Sequence, residues 1–367
     1  MRATLVQDGK NDLPEVIRSV AAEPSVNGVG VFAAAGSNPV SDRFDAALTE
    51  LSVPVFGGIF PEVLYQGKRT ADAAVVIGLT VEPTVSIIPD LSGPEAAFDA
   101  HLPTGVPDDG TAFVLVDAYA DRVEDFVAEL FSKYGVDLSY LGGGVGSLNL
   151  KQQPCLFTDN GVREDAAAFV TLDTTTSLGV RHGWKDIAGP LRVTDADGPA
   201  LAELNGEPAF SVYKQIVEED AEVTLNADNF FEVAKRYPFG ISRLDGETIV
   251  RDPFEVTDDG TLTCFGDIPE DAFLHVLKGE EDALIDAAGE AYAAVADART
   301  EETAVLFFDC ISRVLYLESA FERELNAIGD ADHPDVGALT IGEIANDGEG
   351  HLEFYNKTAV VAVTESL

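Results

Sequence analysis

Short apolar runs alternate with amphipathic stretches along this chain, and one order of them occurs three times. Each copy runs apolar strand, amphipathic helix, a second apolar strand ending in a turn, and a further strand. The first copy reads Gly28-Val29-Gly30-Val31-Phe32, a helix around Asp42 to Leu51, Val53-Pro54-Val55-Phe56-Gly57-Gly58 and Ala73 to Ile77. The second reads Ala112 to Val116, a helix around Arg122 to Tyr134, Tyr140-Leu141-Gly142-Gly143-Gly144, Cys155-Leu156-Phe157 and Ala168 to Val170. The third reads Val305 to Phe308, a helix around Leu317 to Leu325, Val336 to Leu339, Leu352 to Tyr355 and Ala359 to Val363.

The opening strand of each copy is apolar at nearly every position, as strands covered on both faces are. In the second helix Val123, Phe126, Val127, Leu130 and Phe131 recur at helical spacing with Glu124, Asp125 and Glu129 between them. A strand, helix and strand of this length make a crossover between parallel strands. The extra strand lacks its own helix and is expected as an antiparallel edge. The fold class is therefore α/β, two-lobed, with mixed, mostly parallel sheets built from repeated strand-helix-strand-strand units.

The stretch from Asp173 to Thr303 differs. It predicts a helix near Ala209 to Val217, another over Leu284 to Ala296, and a β-hairpin from Thr248–Val256 to Leu262–Phe265 around Asp258-Asp259-Gly260. Turn formers at Gly206 to Pro208 place the boundary between lobes, giving domains 1–208 and 209–367.

The 367 residues hold 23 basic and 65 acidic side chains, a net charge of −42. Such self-repulsion destabilises a compact state unless salt screens it. The acids are spread along the chain with no acidic tail, which points to the high-salt cytoplasm of a halophile. Nucleic acid is excluded as a partner, since phosphate contacts need clustered Lys and Arg. The three cysteines, 155, 264 and 310, are widely spaced and suggest a reducing compartment. The stretch Met1 to Gly9 lacks the apolar core of a signal peptide, and no apolar run is long enough for membrane insertion.

Candidate chemistry is sparse. Gly142-Gly143-Gly144-Val145-Gly146-Ser147 matches neither a dinucleotide fingerprint nor a Walker loop, so Gly143 and Gly144 serve a sharp backbone bend or a close approach to a ligand. Arg251 and Arg313 each offer a planar fork for a carboxylate, or a structural ion pair. Cys310, at the end of the third-copy strand, is a core thiol, a nucleophile or a redox sensor. Glu343 can meet a ligand amine or simply face solvent, and Asn356 can supply amide contacts or hold a turn. His101, His182, His275, His333 and His351 show no metal-ligand spacing, and no Gly-x-Ser-x-Gly elbow is present. No metal, cofactor or catalytic residue is assigned.

Gly142-Gly143-Gly144 with Gly161, His182-Gly183-Trp184, Tyr237-Pro238-Phe239-Gly240, Val250-Arg251-Asp252-Pro253, Cys310 with Arg313, Gly342-Glu343 and Tyr355-Asn356-Lys357-Thr358 together resemble the FIST family, with a FIST N half to about residue 208 and a FIST C half after it. The resemblance implies an intracellular, non-catalytic sensory module for a small ligand such as an amino acid or related carboxylate. With no room beyond the two halves for a kinase, cyclase or chemotaxis output, the signal is expected to pass to a separate signalling protein. The expected pocket is lined by Arg251, Cys310, Arg313, Glu343 and Asn356, an arginine fork taking the carboxylate and Glu343 the ammonium. The alternatives are a cysteine-dependent enzyme using Cys310, with His182 or His351 as base, and a ligand-free interaction scaffold.

Overall fold

The computed structural model describes residues 2–7, 11–93, 97–243, 248–329, 333–346, 350–365 and 367; Met1, Asp8 and Gly9 of the N-terminal stretch lie outside the described residues. The three repeats form three six-stranded sheets that follow one plan. In the first, the strand Gly28–Ala34, the helix Asp42–Thr49 and the strand Val55–Phe60 make the parallel crossover, and the closing strand Ala73–Leu79 returns antiparallel beside Gly28–Ala34. The second repeat uses Gly110–Asp117, the helix Val123–Tyr134, Leu138–Val145 and the closing strand Ala166–Leu172 in the same arrangement. The third uses Thr303–Cys310, Val336–Thr340 and the closing strand Ala359–Glu365.

The α/β class with mixed sheets is as expected, but the balance within the sheets differs. Among the described residues only the crossover pair of each repeat is parallel, and the other pairings are antiparallel. A parallel pair needs a long crossover, and each repeat contains one. The closing strands are interior rather than edge strands. A leading strand, Arg2–Gln7, Thr84–Pro89 or Thr176–Arg181, covers the outer side of each. Their wholly buried patterns fit that interior position. The third crossover also departs from expectation. Its helix Ile311–Leu317 stops where Glu318 adopts a left-handed φ of 50°, and a second helix, Phe321–Ala327, follows.

The sequence pattern gave no hint of an exchange of hairpins between repeats. After its second crossover strand, each repeat sends out a short hairpin that completes another repeat's sheet. Glu62–Tyr65 and Lys68–Thr70 add to the third sheet beside Val336–Thr340. Leu156–Thr158 and Gly161–Arg163 add to the first beside Val55–Phe60. Glu343–Ala345 and Glu353–Tyr355 add to the second beside Leu138–Val145. The exchange is cyclic, so the three sheets close on one another around a shared core. Phe32, Phe113 and Phe308 meet there edge to face, with centroids 5.8 Å and 6.3 Å from Phe308. Alternate residues of the same strands, such as Val305 and Phe307, pack outward under helices.

Between the leading strand and the first helix of the third repeat the chain inserts a further sheet. Lys185–Asp197, Phe273–Lys278, Phe239–Ile241, Ile249–Val256, Leu262–Phe265 and Ala200–Leu204 pair antiparallel in that order, and the last returns to the first, closing a six-stranded barrel. The expected hairpin of Ile249–Val256 and Leu262–Phe265 is part of it. The helix Ala209–Ala221 buries Tyr213 and Val217, and Tyr213 packs on Phe230 and Phe239. Strands from both sides of residue 208 close this barrel.

Candidate functional site

The carboxyl end of Thr303–Cys310 opens into a cavity of about 380 Å³. Ligands of open α/β sheets tend to lie at such strand ends, and the volume is within the about 300–1,000 Å³ of small-molecule sites. Three regions of the chain build the walls. The second repeat supplies Ala118, Tyr119, Leu148 and Leu150 from turns after its crossover strands. The barrel supplies Phe231, Asp252, Phe254 and Phe265. The third repeat supplies Cys310, Ser312, Leu315, Ile341, Phe354 and Asn356.

The barrel wall owes its shape to Pro253. Proline donates no ladder hydrogen bond and favours bulges in strands. Pairing slips between Pro253 and Glu255, leaving Phe254 without an opposite residue, and Phe254 stacks on Phe265 with centroids 4.3 Å apart. The residue before the proline, Asp252, is buried at 2% exposure. Its Oδ2 accepts from Ser312 Oγ at 2.9 Å and from Lys357 Nζ at 3.0 Å, while its Oδ1 has no hydrogen-bond partner. Burial pushes this carboxyl upward, with Lys357 and Ser312 opposing the shift.

Asn356 follows the exchanged hairpin and is 3% exposed. Its Nδ2 donates to the Tyr355 carbonyl at 2.9 Å, and its Oδ1 has no partner. Cys310 lies on the cavity floor. Burial pushes its thiol far above the ordinary cysteine range, with Glu343 adding to the shift, so the thiol is protonated at neutral pH. No histidine lines the cavity among the described residues. His182, one of the bases considered for Cys310, lies instead among the residues around Arg181 and Trp184, where burial lowers it to about 4.

Of the residues expected in the pocket, Cys310 and Asn356 are brought together at the cavity. The two arginines are not. Arg313 is fully enclosed: its fork holds Glu324 at 2.7 Å and 3.1 Å, contacts Asp309 at 3.0 Å, and donates to the carbonyls of His182 and Leu284. Burial works against its charge, and Glu324 and Asp309 outweigh that cost. Arg251 donates to the carbonyls of Asp267, Val250 and Phe354, with Glu124 at 3.8 Å. In a chain with so many acids and carbonyl acceptors to satisfy, both scarce cations are spent on the wall behind the cavity. The Arg251 bond to Phe354 fixes a lining residue.

Glu343 is equally enclosed rather than ligand-facing. It accepts from Thr340 Oγ1 at 2.6 Å and from the Thr358 backbone N–H at 3.2 Å, and burial raises it to about 8. Gly143 and Gly144 do not line the cavity. A Cβ on Gly143 would lie 2.3 Å from the Gly342 carbonyl, and one on Gly144 2.1 Å from the Ile341 carbonyl, so these glycines admit the exchanged hairpin. From sequence, Asp252 and Lys357 entered only as members of the motifs that carry the family resemblance, without a site role, and Ser312 and the aromatic walls were not singled out. The available signal was a charge beside a proline in an apolar strand and an Asn-Lys-Thr turn between two apolar strands.

Among the described residues no group of His, Cys, Asp and Glu side chains is placed to share a metal ion, and no helix is long and apolar enough to cross a membrane. Two family models match the chain, the FIST N domain over residues 5–207 and the FIST C domain over residues 209–346. No curated protein matches it.

Proposed function

The chain belongs to the FIST family, whose domains are associated with signal transduction and small-ligand sensing, and on that premise we propose that it is a non-catalytic sensor whose ligand occupies the cavity at Cys310. One observation carries this reading: a small-molecule-sized cavity walled by the second repeat, the inserted barrel and the third repeat together. A ligand there contacts both halves at once. It can therefore favour one arrangement of them over another, to the extent that its affinity differs between the two. A separate signalling protein then reads the favoured arrangement.

The ligand is amino-acid-like in its apolar body and hydrogen-bond-donating head. Among the described residues the expected arginine fork for its carboxylate has no counterpart in the cavity wall, because Arg251 and Arg313 are committed elsewhere. The cysteine-dependent enzyme is not favoured, since Cys310 is held as the thiol.

A thermal-shift screen of amino acids, amines and small carboxylic acids in molar KCl tests the proposal. Compounds that bind are expected to raise the unfolding midpoint and to slow alkylation of Cys310 by iodoacetamide, leaving Cys155 and Cys264 unaffected. A screen in which no compound does either overturns it.

A further inference from the structure

The polar side chains of the cavity spend hydrogens on the protein itself. Ser312 Oγ donates to Asp252, Asn356 Nδ2 to the Tyr355 carbonyl, and Tyr119 Oη to the Ser147 carbonyl. The Cys310 thiol donates to Glu343. Among the described residues the buried lining atoms left without a partner are both acceptors, Asp252 Oδ1 and Asn356 Oδ1, on side chains at least nine-tenths buried. A buried acceptor without a donor carries an uncompensated desolvation cost, larger when charged. A ligand that brings N–H groups to both recovers that cost. A ligand that brings a carboxylate instead places acceptor against acceptor.

Two further features select a cation among donors. Asp252 is an acid, and its unpartnered oxygen favours a charged donor over a neutral one. The other walls are aromatic: Tyr119, Phe231, Phe254, Phe265 and Phe354. Ring faces attract ammonium groups, most strongly when water is excluded.

The geometry points to an organic ammonium with an apolar body, an aryl- or alkylamine rather than the zwitterionic amino acid, as the ligand of this cavity, its head held by Asp252 and Asn356 and its body by the phenylalanine walls. The inference rests on the sensor reading above and names the ligand class for that site. It also gives Lys357 a role: by holding Oδ2 it leaves Oδ1 as the unpaired oxygen of the carboxyl.

The test is calorimetric titration in molar KCl with four compounds of one shape: 2-phenylethylammonium, L-phenylalanine, 3-phenylpropionate and 2-phenylethanol. The ammonium is expected to bind at least tenfold more tightly than the alcohol, and the alcohol more tightly than either compound bearing a carboxylate. Asp252→Asn should erase the advantage of the ammonium over the alcohol. Because that change leaves Lys357 without its charge partner and can impair folding, Asn356→Leu is the second variant; it should weaken ammonium binding about tenfold while leaving the alcohol within threefold. If the alcohol or a carboxylate compound binds as tightly as the ammonium, or Asn356→Leu weakens all binders equally, the ammonium inference fails and the ligand cavity stands. If none of the four binds while the broader thermal-shift screen finds a ligand, the ammonium inference fails and the ligand cavity stands; if that screen is empty as well, both readings fail.

Discussion

Glu343 illustrates how a side chain placed for packing acquires a measurable titration. In the unfolded chain its carboxyl ionises near 4.5, whereas burial in the folded protein holds the proton to about pH 8. The groups facing it are Thr340, Thr358, Cys310, Asp309 and Arg313, and the hydrogen bonds from the first three reduce the shift without cancelling it. Between those two values the folded chain carries a proton that the unfolded chain has lost. Stability therefore falls as pH rises from about 4.5 to 8, by up to about 1.4 kcal/mol per pH unit for this group, and its contribution levels off above. Glu343→Gln mimics the protonated acid, so the variant should lose that part of the slope. Urea unfolding from pH 5 to 8.5 in molar KCl measures it, and equal slopes for the two proteins would remove Glu343 as the source.

At the scale of elements, the repeated units were legible because their strands are apolar throughout and their helices keep a three- and four-residue period, two signals that survive in a single sequence. The hairpin exchange was not legible. Strands such as Leu156–Thr158 and Glu343–Ala345 are three residues long and fully buried, so neither length nor alternation says which sheet they join. The same gap misplaced the candidate site. Arg313 and Glu343 sit at the expected strand ends, but their buried partners, Glu324 and Thr358, come from segments whose proximity only the tertiary fold creates. Gly143 marks the point where the exchange depends on backbone contact. Its φ is 155° and the Gly342 carbonyl lies where a Cβ would stand, so Gly143→Ala must push the Glu343–Ala345 strand away. We expect a loss of about 2 kcal/mol or more in chemical unfolding, together with weaker ligand binding, since Gly342 lines the cavity. Wild-type stability in Gly143→Ala would contradict this account of the junction.

Across the whole molecule two kinds of electrostatics coexist, and salt separates them. The pairs of Arg313 with Glu324 and of Lys357 with Asp252 are buried and screened little by bulk ions. Most other pairs, such as Arg323 with Asp282 and Lys185 with Glu280, are exposed and worth about 0–1 kcal/mol each. They cannot offset the mutual repulsion within a net charge of −42. Going from 0.1 M to 1 M salt shortens the Debye length from about 10 Å to about 3 Å, which removes most repulsion between neighbouring surface acids. The unfolding midpoint is therefore expected to climb with KCl, most steeply at the low end, while the buried pairs hold. Asp286, Glu290, Asp297, Glu301 and Glu302 are exposed along and beyond one helix, Glu281–Val295. Replacing them with Asn and Gln should raise the midpoint at 0.1 M KCl and reduce the gain at 2 M. Calorimetry at both salt concentrations measures the two effects; a wild-type midpoint that is flat or falling in KCl would show that like-charge repulsion does not limit this fold.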